Sequence, residues 1–248
     1  MGTVTTELRR DGVLELALDD GGPNTLRPDV LSDLAAALSA HPDAPVLIVG
    51  RTGMLSAGLD LKWMAAHGTD EVGELLVTCG RTLAALWTHP RPVVVAATGH
   101  AIAAGTMLAM TGDHVVAAEG GWWGLVETAN GMDLPDFALS LARERLTPRD
   151  LAAVVLPGAR LDAAAAVRVG YADETAAPEA VRDRAEARLG DLAALPAAAY
   201  AANKHRLRGA AAEGMLSRLP DDVAGLIAAF HASIVPAAIA CPVAATTT

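Results

Sequence analysis

From Pro92 to Gly112 the chain carries no Asp, Glu, Lys or Arg, and the character of its side chains changes along the way. Val93–Val95 is β-branched, Gly99-His100 interrupts the run, and Thr106–Met110 turns to Met, Leu and Ala. A stretch this long is enough to cross a bilayer. The change from β-branched to unbranched residues around a glycine–histidine break reads instead as buried strand, turn and buried helix.

The same order occurs upstream. Val46–Val49 precedes Ser56-Ala57-Gly58-Leu59-Asp60-Leu61-Lys62, as Val93–Val95 precedes Gly99-His100-Ala101-Ile102-Ala103-Ala104-Gly105. Each segment reads as a small-residue turn leaving the end of a buried strand, where a substrate can approach the backbone closely. Singly, such a turn is a packing device. Two of them meeting at one pocket aim two N–H donors at a single carbonyl oxygen, which is what stabilising an enolate or a tetrahedral oxyanion requires. That points to acyl chemistry.

Around these segments the periodicity predicts an N-terminal hairpin of Val4–Arg9 and Val13–Leu18 about Asp11-Gly12. A helix follows from Pro28 to near His41-Pro42, and a second over Thr69–Leu86 with Val72, Leu75, Leu76, Cys79, Leu83 and Leu86 on one face. His89-Pro90-Arg91-Pro92 breaks that helix ahead of strand Val93–Ala97, and a further strand covers His114–Ala118. Beyond Asp136 the chain reads as nearly all helix, with Thr147-Pro148 opening one helix and Asp162 and Gly170 bracketing another. The fold class is α/β followed by α, divided into a core over residues 1–190 and a C-terminal helical region over 191–248.

Composition removes several classes of function. A net charge of −10 argues against nucleic acid, which needs a basic surface. Neither G-x-G-x-x-G nor a Walker sequence occurs, and no G-x-S-x-G. The seven histidines form no pair at helical i, i+4 spacing and there is no C-x-x-C, so no metal site is expected. Cys79 and Cys241 form no disulfide framework; with no basic-then-apolar N-terminal segment, the reading is a cytoplasmic protein without a membrane span.

Ser56-Ala57-Gly58-Leu59-Asp60-Leu61 and Thr98-Gly99-His100-Ala101-Ile102-Ala103-Ala104-Gly105, closing on Asp113, resemble the S/C-A-G-x-D-L/I and N/T-G-x-A-x-G/A-G/A-G segments of the enoyl-CoA hydratase/isomerase (crotonase) superfamily. The resemblance runs from about Val13 to about Arg208 and includes the Asn24 turn. It implies a spiral of β-β-α units followed by a helical C-terminal region that packs between subunits, in a homotrimer or hexamer. The implied substrate is an acyl-CoA thioester, with coenzyme A entering as part of the substrate and no separate cofactor.

Residue by residue, the resemblance places the two backbone donors at Leu59 and Ala104. Trp122-Trp123-Gly124-Leu125-Val126-Glu127-Thr128 is similar to the G-L-N-E-T/V segment of 3-enoyl-CoA isomerases, which makes Glu127 the acid/base; a carboxylate between tryptophans and an apolar helix is poorly solvated, which raises its pKa. The second glutamate of hydratases falls at Met107, a thioether that accepts no proton. One-acid isomerisation fits this pattern, with 2-enoyl-CoA hydration or a silent acyl-CoA-binding scaffold as the alternatives. Asp133 and Asp136 are further carboxylates nearby, the first read as loop polarity and the second as a helix cap. Ala57, Gly58, Asp60, Leu61 and Lys62 are expected along the substrate, with Lys62 toward the coenzyme phosphates and Lys204 and Arg208 as weaker phosphate candidates. Trp63, Trp122 and Trp123, in a chain only 3% aromatic, are expected to wall the acyl chain.

Overall fold

A computed structural model describes residues 4–240, with side chains to residue 227; Cys241 lies outside the described residues. The elements run β1 (Val4–Leu8), β2 (Leu14–Leu18), α1 (Pro28–Ala40), β3 (Val46–Gly50), β4 (Gly53–Ser56), α2 (Leu61–Ala66), α3 (Thr69–Thr88), β5 (Val93–Ala97), β6 (Gly99–Ile102) and α4 (Ala104–Met110). They continue with β7 (His114–Ala118), β8 (Trp122–Gly124), α5 (Asp136–Arg145), α6 (Pro148–Val155), β9 (Leu161–Asp162), α7 (Ala163–Val169), β10 (Glu174–Ala176), α8 (Val181–Ala193) and α9 (Ala197–Ala240).

The strands form two sheets, one of six strands ordered β1-β2-β3-β5-β7-β10 and one of four ordered β4-β6-β8-β9. Among the described strand pairs only β1–β2 and β8–β9 are antiparallel. The pairs β3/β4, β5/β6 and β7/β8 each place their first strand in the larger sheet and their second in the smaller, with helix following, so the chain climbs as a spiral of β-β-α units. The apolar runs make sense in this frame: Val46 and Ile48 of β3 join the central core, while Leu47 and Val49 face α8 through Val181, Ala185 and Leu189. A parallel sheet buried on both faces needs such unbroken apolar strands.

The strands of the smaller sheet are where the sequence reading falls short. Gly99–Ile102 is strand β6 rather than a turn, and a further strand, β4, follows β3 and ends at Ser56. These strands lack alternation because they approach other backbone closely: a Cβ on Gly99 would fall 1.9 Å from the carbonyl carbon of Gly53. Glycine is required there, and glycine in a short strand reads as a turn.

In the C-terminal half the caps predicted at Thr147, Asp162 and Gly170 are present. The Thr147 hydroxyl accepts the Asp150 N–H, the Asp162 carboxylate accepts the Ala165 N–H at 2.7 Å, and Gly170 closes α7 at φ +105°. The expected border at residue 190 falls within α8, and α9 begins after Pro196. α9 lies along α3, where Gly80 leaves room for Leu219 and Gly73 for Ile227. No helix among the described residues is long and apolar enough to cross a membrane.

Candidate active site

The first segment of the site is held from below. Asn24, buried and at φ +51°, donates its side-chain amide to the carbonyls of Leu18 at 2.8 Å and Leu55 at 3.1 Å. The Ser56 hydroxyl donates to the Asn24 carbonyl at 2.7 Å and accepts the Gly58 N–H at 3.1 Å. The Leu26 N–H donates to the Gly58 carbonyl at 2.8 Å. Gly58 therefore sits at φ +92°, where an L side chain is strained, and the next N–H, that of Leu59, has no acceptor among the described residues.

The second segment meets the first edge to edge. A Cβ on Gly58 would lie 3.0 Å from the Ala104 nitrogen, and one on Gly105 would lie 2.2 Å from the Ser56 carbonyl oxygen. Ala103 takes φ +54°, ψ −123°, a conformation that costs a non-glycine residue about 1–3 kcal/mol. Its N–H donates to the Gly124 carbonyl at 2.8 Å, while its carbonyl accepts the Thr106 and Met107 N–H groups. This strained turn leaves the Ala104 N–H at the start of α4 with no acceptor among the described residues. The sequence hides the strain, because alanine carries no signal of positive φ.

Glu127 arrives from the third strand pair. The chain leaves β8 through Leu125 and Val126, and Glu127 opens a short 3₁₀ turn over Thr128–Asn130, its carbonyl accepting N–H groups of Asn130 and Met132, both at 2.9 Å. The side chain is 6% exposed, and Oε2 has no partner among the described residues. Burial pushes its pKa up to about 7, against the opposing effect of its own backbone N–H. Glu127, Leu59 and Ala104 line one cavity of about 140 Å³, with Ala57, Leu61 and Met107.

Other expected residues fall elsewhere. The Asp60 carboxylate caps α2, accepting N–H groups of Lys62 at 3.1 Å and Trp63 at 3.0 Å. Lys62 is exposed on that helix, just beyond the cavity-lining Leu61. The three tryptophans do not line the cavity: Trp63 stacks on His67 at 3.8 Å, Trp122 is largely exposed, and Trp123 is fully buried under the smaller sheet. The inner wall comes instead from Leu76 and Cys79 of α3, whose helical spacing marked them as core and nothing more, and from Phe137 of α5 and Leu226 of α9. Burial pushes the Cys79 thiol up to about 12.

Lys204 and Arg208 are not phosphate ligands in waiting. Lys204 is buried, its ammonium 2.7 Å from Asp113; Arg208 lies 2.8 Å from the same carboxylate and 3.7 Å over the Trp87 ring. Asp113 also accepts the Val93 N–H at 2.8 Å, so this cluster fastens α9 to β5. Asp136 does not cap α5 either: its N–H donates to Asp222 of α9 at 2.7 Å, and its carboxylate pairs with Arg218. Asp133 is exposed at the cavity rim. His100 is structural, its Nδ1 accepting the Trp122 N–H at 2.9 Å.

A two-sheet β-β-α spiral thus carries, along one largely apolar cavity, a buried carboxylate and two residues whose N–H groups have no acceptor among the described residues. Residues 9–226 match the enoyl-CoA hydratase/isomerase family model, and the chain belongs to that family. It is 30% identical over 184 residues to the peroxisomal enoyl-CoA delta isomerase 2 of Arabidopsis thaliana, covering 69% of this chain and 76% of that protein. It is 28% identical over 183 residues to a probable enoyl-CoA hydratase of Mycobacterium tuberculosis, covering 71% and 69%. The crystal structure of an enoyl-CoA hydratase from Mycobacterium ulcerans superposes with a TM-score of 0.85 at 31% identity, over 92% of this chain and all of that one.

Proposed function

We propose that the protein is a 3-enoyl-CoA isomerase, moving a double bond from the 3 to the 2 position through a dienolate. The observation that carries this reading is that Glu127 is the one buried carboxylate among the described residues lining the cavity; Met107, which also lines it, falls where the resemblance puts the second acid of hydratases. The thioester oxygen lies between the Leu59 and Ala104 N–H groups, neither of which is committed to a bond within the described residues. As charge develops on that oxygen the two donors strengthen, and such preorganised donors contribute on the order of 10²- to 10³-fold each.

Glu127, ionised, takes a proton from the α carbon and returns it at the γ carbon. A base with a pKa of about 7 is matched to this task, strong enough to accept the proton and weak enough to give it back. The apolar wall of Leu76, Phe137 and Leu226 keeps water from the dienolate. Lys62 meets the coenzyme phosphates outside the cavity.

Hydration is the second reading, favoured by Asp133 lining the same cavity. Incubating the protein with 3-enoyl-CoA and separately with 2-enoyl-CoA, and following the conjugated thioester in the ultraviolet, separates the two. Formation of the conjugated product from the 3-isomer, with slow loss of the 2-isomer, is expected. Efficient hydration with little isomerisation overturns the assignment. Met107→Glu should raise hydration, since it places a second carboxylate on the cavity wall.

A further inference from the structure

The cavity that receives the reacting carbons has a mouth and an end. Leu61, Asn130 and Asp133 on its lining are exposed and mark the mouth, whereas Cys79 of α3 and Phe137 of α5 are fully buried. The wall behind those two is packed. A Cβ on Gly80, the residue after Cys79, would fall 3.1 Å from Cδ1 of Phe137 and 2.7 Å from Cδ1 of Leu219, itself buried on α9. Beside the ring α5 is tied to α9, where the Asp136 N–H donates to Asp222 at 2.7 Å. An interior packed this closely does not open for further methylenes without strain.

The volume then sets a length. At about 140 Å³ the cavity is close in size to an apolar cavity of about 150 Å³ that takes up one benzene, a group of about six carbons. Part of this space belongs to the reacting carbons, since Leu59, Ala104 and Glu127 line it and the carbonyl, α, β and γ carbons must lie beside them. About two carbons of the six remain for the tail.

We infer that the protein selects short acyl chains, of up to about six carbons, and that Cys79 and Phe137 are the specificity-determining residues that stop the tail. This rests on the reading of the cavity as an acyl-CoA site. A thiol buried in an apolar wall behaves as a small hydrophobe, so the end of the cavity suits a hydrocarbon tail.

The test is calorimetric titration with saturated acyl-CoAs from butanoyl to decanoyl, which have no double bond to move. Affinity for the wild type should rise about fourfold per methylene as far as hexanoyl, the increment for burying each one, and gain nothing from octanoyl onward. A climb at the same rate through decanoyl overturns the proposal; the chain would then leave the cavity beside half-buried Leu226. Cys79→Leu adds two heavy atoms at the end of the cavity and should weaken hexanoyl-CoA about tenfold, with butanoyl-CoA bound as before. Phe137→Leu removes three and should let octanoyl-CoA bind about tenfold more tightly than it does to the wild type. Identical ladders in all three proteins overturn the assignment of these residues. Should one variant fail to fold, the other and the wild-type ladder decide. A ladder that ends at hexanoyl, without isomerisation of 3-hexenoyl-CoA, upholds the length limit and refutes the proposed reaction; no binding of any acyl-CoA refutes both.

Discussion

Glu127→Gln should make the protein more stable at alkaline pH while removing its activity. The acid titrates at about 7 in the native state against an ordinary value of 4.5, because burial disfavours the charge. The unfolded chain therefore gives up the proton first. Stability from this group is complete below pH 4.5 and is lost as pH rises through 7. Once ionised, the carboxylate costs the fold about 3 kcal/mol, at ~1.4 kcal/mol per pH unit of difference. Glutamine keeps the shape and cannot ionise, but it leaves a buried amide short of partners, which offsets about 1–2 kcal/mol. A net gain of about 1–2 kcal/mol above pH 8 corresponds to roughly 2–8 °C in Tm for a chain of this size. Calorimetric scans of both proteins from pH 5 to pH 8.5 provide the assay, with the gap opening as pH rises. A Tm difference that is flat across this range would refute the argument that the carboxylate is buried and unpaired. Isomerase activity of the same variant should fall by about 10²- to 10⁴-fold.

Gly58→Ala forces a side chain into φ +92° and against the Ala104 nitrogen; kcat should drop at least about 10²-fold, with a stability loss of about 1–3 kcal/mol in urea melts. Lys62→Ala, on an exposed helical position outside the cavity, should raise KM for acyl-CoA more than it lowers kcat, since the nucleotide end makes similar contacts in ground and transition states; unchanged affinity by calorimetry removes Lys62 from the site. Asp113→Asn leaves the Lys204 and Arg208 charges buried without their shared carboxylate. The expected loss is about 3–5 kcal/mol by chemical denaturation, with little change in KM for the molecules that remain folded.

Local chemistry was enough to read much of this chain. The β-branched runs at Val46 and Val93 and the helical spacing through α3 identify their elements because burial on a periodic scaffold leaves a periodic trace. The caps at Thr147 and Asp162 and the glycine at 170 are equally legible, since each satisfies backbone groups within a few residues. Two small-residue segments stood out because their residue types are those an acyl site uses, and Glu127 because its segment resembles that of 3-enoyl-CoA isomerases.

What only the tertiary structure decided are quantities that depend on contacts between distant segments. The smaller sheet was invisible because its glycines answer to backbone from other strands, not to alternation within their own. The basic residues at 204 and 208 read as weaker phosphate candidates, yet Asp113, about ninety positions away in sequence, draws them inside. The tryptophans seemed natural walls for an acyl chain, but the cavity takes its lining from α3, α5 and α9, brought together by packing alone. Ala103 at positive φ and the Glu127 Oε2, without a partner among the described residues, follow the same logic. Strain and orphaned polar atoms are properties of a packed environment, and a linear chain carries no record of them.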